Sequence, residues 1–136
     1  MIHHCEDEIV ELHDFFERWF NGDLEDSPET FARLSDVLSE RFQMISPGGD
    51  KLERRQVLEG VRRQHGSHRA APHPFRIEIR NLEHRYRDAG VVLMTYEEWQ
   101  EVDGTVRGRT SSALFRERED TPFGVEWLHL HETWIP

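Results

Sequence analysis

The residues best suited to chemistry stand on three stretches near the C-terminus. In Val125–Trp134, Trp127, His129, His131 and Thr133 alternate with Leu128, Leu130, Glu132 and Trp134. That is the period of a β-strand. The same period puts Thr95, Glu97 and Trp99 on one face of a strand over 91–101. It puts Arg107, Arg109, Ser111, Ala113 and Phe115 on one face of a strand over 105–117. If these faces point the same way, Glu97, Arg109 and His131 converge, with Trp99, Ser111, Trp127 and His129 around them, because neighbouring strands lie only ~4.8 Å apart. A buried carboxylate beside an imidazole is an acid–base pair near neutral pH. An adjacent arginine can hold an anionic group or steady an oxyanion. The same residues also fit a structural ion-pair network with hydrogen-bonded histidines. A one-residue bulge in any strand would turn its other face inward, bringing in Tyr96 and Glu98, or Thr110 and Ser112.

Other candidates are weaker. His129 and His131 could ligate one metal ion with Glu97 or Glu132, but a two-ligand motif carries little information. The expectation is no metal and no cofactor. Cys5 falls on the apolar stripe of a helix with no activating partner, which argues against a nucleophile.

Composition narrows the partners. The chain has 136 residues, suiting one domain over 1–136. Its formal net charge of −10 argues against nucleic acid and anionic membranes. No apolar run approaches the ~20 residues of a membrane helix. One cysteine and no signal-like segment point to the cytoplasm. Mean hydropathy is low, −0.76, but four Trp and eight Phe supply the material for a core.

The elements follow from periodicity. Cys5, Ile9, Leu12, Phe16 and Trp19 mark an amphipathic helix over about 4–21, stopped by Asn21-Gly22. Ser27-Pro28 opens a second helix ending near Ser39. A short strand, Arg41–Ile45, closes in the turn Ser46–Asp50. A third helix then begins between Asp50 and Arg54, or Leu52 first completes a small hairpin; Gly66 ends it. Four strands follow, at about 75–87, 91–101, 105–117 and 125–134. In the first of them the alternation slips phase near Arg80-Asn81, predicting a bulge or bend. Val102-Asp103-Gly104 turns the second of them back, with Asp-Gly a strong hairpin signal. Helices set apart from an antiparallel sheet define the α+β class.

With Tyr96–Gln100, Arg109–Phe115 and Trp127–Trp134 in this setting, nearly the whole chain resembles the nuclear transport factor two-like superfamily. That superfamily includes ketosteroid isomerase, SnoaL-like cyclases and the association domain of calmodulin-dependent kinase. The chain is most similar to a functionally uncharacterised bacterial branch near that association domain. The resemblance implies a cone-shaped, cystatin-like roll with three N-terminal helices on a strongly bent antiparallel sheet. It also implies an internal pocket for a small molecule, and a homodimer through the sheet. Strand parity places Leu128, Leu130 and Trp134 at the dimer contact, as an apolar patch too large to leave in water. The isomerases' aspartate base and oxyanion donors have no clear counterpart here. Two function classes stay open. One is a cofactor-independent isomerase, dehydratase or hydrolase acting on an anionic or carbonyl-bearing ligand. The other is a non-catalytic dimerisation or ligand-binding module.

Overall fold

The structure, a computed structural model, describes all 136 residues. Helix α1 (Ile2–Phe20) buries Cys5, Ile9, Leu12, Phe15 and Trp19 along one stripe. It begins three residues before the apolar periodicity does at Cys5, so its acidic residues fall in the second turn rather than the first. Helix α2 (Pro28–Ser35) starts as its sequence dictates: Ser27 Oγ accepts from the Thr30 amide at 3.2 Å, with proline at the first helical position. It ends at Ser35 rather than near Ser39, because Leu38 already belongs to strand β1 (Leu38–Ile45). Between the two readings of 50–54, the hairpin holds. Strand β2 (Lys51–Glu53) pairs Leu52 with Met44, and helix α3 (Arg54–Arg63) follows with a capping box between Glu53 and Gln56.

Strands β3 (Arg76–Asp88), β4 (Val91–Val102), β5 (Thr105–Glu117) and β6 (Val125–Trp134) form the expected meander, and no helix follows it. The sheet order is β2-β1-β6-β5-β4-β3. One junction departs from an all-antiparallel sheet: β1 runs parallel to β6, so the sheet is mixed. A two-residue turn forces antiparallel pairing, whereas a long crossover leaves direction free. The phase slip near Asn81 is real. The β3–β4 register shifts between Arg80 and Glu83, and Asn81 sits at φ 52°.

Two register features decide what faces the helices. The turn at Asp103-Gly104 sets Val102 opposite Thr105, so even-numbered residues of β4 lie beside odd-numbered residues of β5. Strand β6 carries a bulge at Leu128: Phe115 pairs with Trp127, but Leu114 pairs with His129. Trp127 therefore faces the helices, and beyond the bulge Leu130 and Glu132 do so instead of His129 and His131.

Polar side chains on the inner side of α1 lock it to the sheet. Glu8, fully buried, accepts from Trp127 Nε1 at 2.8 Å and from both terminal nitrogens of Arg33 on α2. Asn21 pairs with the backbone of Phe75 in both directions at 2.9 Å, and Glu17 accepts from the Ile77 amide. Removing Arg33 would leave the Glu8 charge buried without its cation. Arg33→Ala is expected to lower unfolding free energy at neutral pH by about 3 kcal/mol. Urea midpoints measure this, and a loss under about 1 kcal/mol would mean the pair is solvated rather than structural.

Candidate functional site

Helices α1, α2 and α3 do not fill the concave face of the sheet. A cavity of about 160 Å³ remains, and twelve of its seventeen lining residues are apolar. Phe16, Phe20, Phe42, Met44, Val57 and Leu130 make up much of that wall. The polar lining residues, His13, Glu98, Gln100, Arg109 and Glu132, come together through their own hydrogen bonds into one corner.

Register builds this corner. Glu98 on β4 is paired with Arg109 on β5, and Ser111 on β5 with Glu132 on β6. The Arg109 guanidinium bridges the two carboxyls, with Nη2 to Glu98 and Nη1 to Glu132, each at 3.0 Å. From the helix side, His13 Nε2 meets Glu98 at 2.9 Å and Nδ1 meets the Ile9 carbonyl at 2.6 Å. A carbonyl oxygen only accepts, so Nδ1 donates. Glu98 is a carboxylate, its carboxyl held down to about 2 beside Arg109 and Gln100, so Nε2 donates as well. An imidazole donating from both nitrogens is a cation.

The titration behaviour follows this geometry. Burial alone would raise Glu98, but the charge and hydrogen bond of His13, then Arg109, outweigh it and pull the carboxyl down to about 2. Burial alone would lower His13, and Glu98 overrides it, so the imidazole sits above its ordinary value. Glu132 goes the other way: burial and the charge of Glu98 push it up to about 7 against Arg109 and His13. Beside this corner, burial pushes the Tyr96 phenol well above its usual value. Two buried polar atoms here, Tyr96 Oη and Arg109 Nε, have no protein partner.

Of the residues expected from parity, Arg109 and Trp127 line the cavity, and Ser111 lies buried behind it, 3.5 Å from Glu132. Glu97, Trp99, His129 and His131 lie on the opposite face. Glu97 accepts from Trp99 Nε1 there, and that bond holds its carboxyl below the ordinary range. The Trp99 ring lies flat on Gly108, its cross-strand partner, where an added Cβ would meet the ring at 2.7 Å. His131 is exposed. Convergence of Glu97, Arg109 and His131 is thus replaced by convergence of Glu98, Arg109 and Glu132. The expected dimer patch dissolves for the same reason: Leu130 lines the cavity, and Trp134, stacked under Arg107 at 3.5 Å, shares its face. A turn over 102–104 pairs odd with odd positions, whereas the two-residue turn at Asp103-Gly104 pairs odd with even and brings Glu98 inside. His13 was within reach, one turn beyond Ile9 on the apolar stripe of α1. The bulge at Leu128 left no sequence signal. No group of three or more His, Cys, Asp or Glu side chains is placed to share a metal ion.

Helices packed on a bent mixed sheet around a cavity with one polar corner define the nuclear transport factor two-like, cystatin-like fold. Solved structures agree. A nuclear transport factor two-like protein of unknown function from Pseudomonas aeruginosa superposes with a TM-score of 0.85 at 22% identity, over 98% of this chain and 99% of that one. A putative calcium/calmodulin-dependent kinase II association domain from Exiguobacterium sibiricum gives 0.61 at 13% identity, over 98% and 92%. Within that fold the chain belongs to the sucrose-6-phosphate phosphohydrolase C-terminal family, whose model matches residues 5–136. A probable sucrose-phosphatase of Arabidopsis thaliana is 24% identical over 93% of this chain. The chain spans only 29% of that relative's length.

The polar corner makes a signed prediction. A carboxyl held low in the folded state stabilises the fold fully above its unfolded value, here 4.5, and loses that contribution as pH falls towards 2. Glu98→Gln should therefore be less stable than the wild type at neutral pH, by a margin that shrinks as pH drops below about 4. Urea unfolding of both proteins at several pH values checks this. An unchanged margin down to about pH 3 would remove the imidazolium–carboxylate pair from the account.

Proposed function

We propose that this chain is a small-molecule-binding domain, and that its ligand sits in the cavity between the helices and the sheet with a polar group in the Glu98–Arg109–Glu132 corner. The observation that carries this reading is the cavity itself: mostly apolar walls and a few converging polar groups are the usual form of a ligand site. Its volume is close to the about 150 Å³ of an engineered apolar cavity that takes benzene. The unpartnered Arg109 Nε supports it, because buried polar atoms normally find partners. The expected ligand is anionic or carbonyl-bearing. Chemistry on it, if the domain is catalytic, is acid–base isomerisation, dehydration or hydrolysis without a cofactor, with Glu132 as the titrating group.

The non-catalytic module keeps one specific observation in its favour. The family relative is more than three times as long as the matched part, so its named activity need not reside in the segment shared with this chain. We also read residues 1–136 as one cytoplasmic domain that pairs as a homodimer through the outer sheet face. The outer row Tyr86–Leu93–Leu114–His129 supports that face as the contact. Sedimentation should then show twice 16.2 kDa at micromolar concentration, and Leu114→Arg should return it to the monomer.

The cavity is tested by filling it. Small ring compounds present at about a hundred times Kd should stabilise the wild type by about 2.7 kcal/mol, read as a rise in Tm. Met44→Trp should abolish the rise while keeping the fold. If no small ring compound shifts Tm, or if Met44→Trp leaves the shifts intact, the cavity is not the binding site.

A further inference from the structure

Two carboxyl groups share Arg109, and their hydrogen bonds are unequal. Glu98 accepts from three donors, His13, Gln100 and Arg109. Glu132 accepts from Arg109 on Oε1, and Oε2 has only the Ser111 hydroxyl at 3.5 Å, the outer limit of a hydrogen bond. Both side chains line the same cavity, and both are nearly inaccessible to solvent, at 5% and 3% exposure. Of two buried carboxyls served unequally by Arg109 and the His13 imidazolium, the one with fewer donors takes up a proton more readily. Glu98 is served as an anion, and Glu132 is not.

The surroundings of Glu132 are complete enough to judge. Arg109 and Ser111 face it from β5. Glu98 and Tyr96 act on this corner from β4, and His13 from α1. The residues that β1, α2 and α3 bring to the cavity, Leu38, Phe42, Met44, Leu34, Val57 and Val61, are all apolar. His129 and His131 point away on the other face.

We propose that Glu132 meets the ligand as a protonated carboxylic acid, and that the cavity is specific for an uncharged ligand whose carbonyl oxygen accepts that hydrogen bond while its apolar body lies against the aromatic wall. This deepens the binding-site reading above and rests on it. Arg109 Nε, a buried donor on the cavity wall with no partner, likewise calls for an acceptor. The upward displacement of Glu132 to about 7 agrees with the donor count. An anion fits less well. The proton on Glu132 leaves one excess positive charge, shared by Arg109 and His13, both of which already bond carboxyls. Moving a carboxylate into a mostly apolar cavity also costs far more than moving a carbonyl, and the chain's net charge of −10 repels it on approach.

Three ring probes of similar size test this: cyclohexanone, methylcyclohexane and cyclohexanecarboxylate, titrated by calorimetry at several pH values. Cyclohexanone should bind most tightly, and its affinity for the wild type should fall by about tenfold per pH unit once Glu132 has lost its proton. Glu132→Gln, which keeps a donor but cannot titrate, should bind cyclohexanone with little pH dependence. If methylcyclohexane binds as well as cyclohexanone, the inference is overturned and the cavity reading stands. Tighter binding of the carboxylate, or a flat pH profile in the wild type, overturns it likewise. If none of the three binds, both readings fall. An independent readout on the free wild-type protein is the carbon-13 shift of the Glu132 carboxyl: a midpoint near 7 is expected, and one at the ordinary glutamate value of about 4.3 overturns the proposal whatever the probes do.

Discussion

A guanidinium between two carboxyls, with an imidazolium behind one of them, is a demanding group to bury. Each charge loses its hydration, and only close, well-aimed partners restore it. That demand fixes the geometry around it. Arg109 must stand opposite Glu98, which requires the two-residue turn at Asp103-Gly104; a loop one residue longer or shorter would break the match. Glu132 must stand one strand further on, which requires the bulge in β6. His13 must reach across from α1 to Glu98, which sets the height and rotation of the helix. The aromatic wall then falls into place around a space these contacts hold open.

A second buried charge works with the first. Glu8 lies five residues before His13 on α1 and grips Trp127 on β6, while His13 grips Glu98 on β4. The helix is thus tied to two strands by polar contacts of fixed direction. Apolar packing alone would allow it to slide by fractions of a turn, since the hydrophobic effect is non-directional. Asn21 and Glu17 extend the same logic to β3, lending side-chain groups to the backbone at the start of an edge strand. In the relation of α1 to the sheet, specificity comes from the few polar residues of an otherwise apolar face.

Much of this was legible in the residues, and the failures have physical causes. Helix α1 was readable because a long apolar stripe has one interpretation, and the β3 bulge because alternation visibly breaks at Asn81. Arg109, Ser111 and Trp127 were placed on the correct face. Glu97 stands inside if Val102-Asp103-Gly104 is the turn, because three residues pair odd with odd; the turn holds only Asp103 and Gly104, which puts Glu98 there. His129 and His131 were preferred to Glu132 because Val125–Trp134 alternates acceptably in either phase. Nothing local distinguishes a straight strand with imidazoles inside from a bulged strand with Leu130 and Glu132 inside. Tertiary context decides, through the partners Ala113 and Ser111 across the ladder. The parallel seat of β1 beside β6 was equally invisible, since the two strands are separated by most of the chain.

The bulge at Leu128 has an evolutionary side. The last strand carries two complete sets of wall residues in one sequence, Leu130 with Glu132 and His129 with His131, and the position of one extra residue selects between them. Sliding the bulge past the end of the strand would exchange a carboxyl for an imidazole in the cavity wall without altering a single catalytic-type residue. In this strand the acid at one place is therefore set by the position of an irregularity as much as by residue identity.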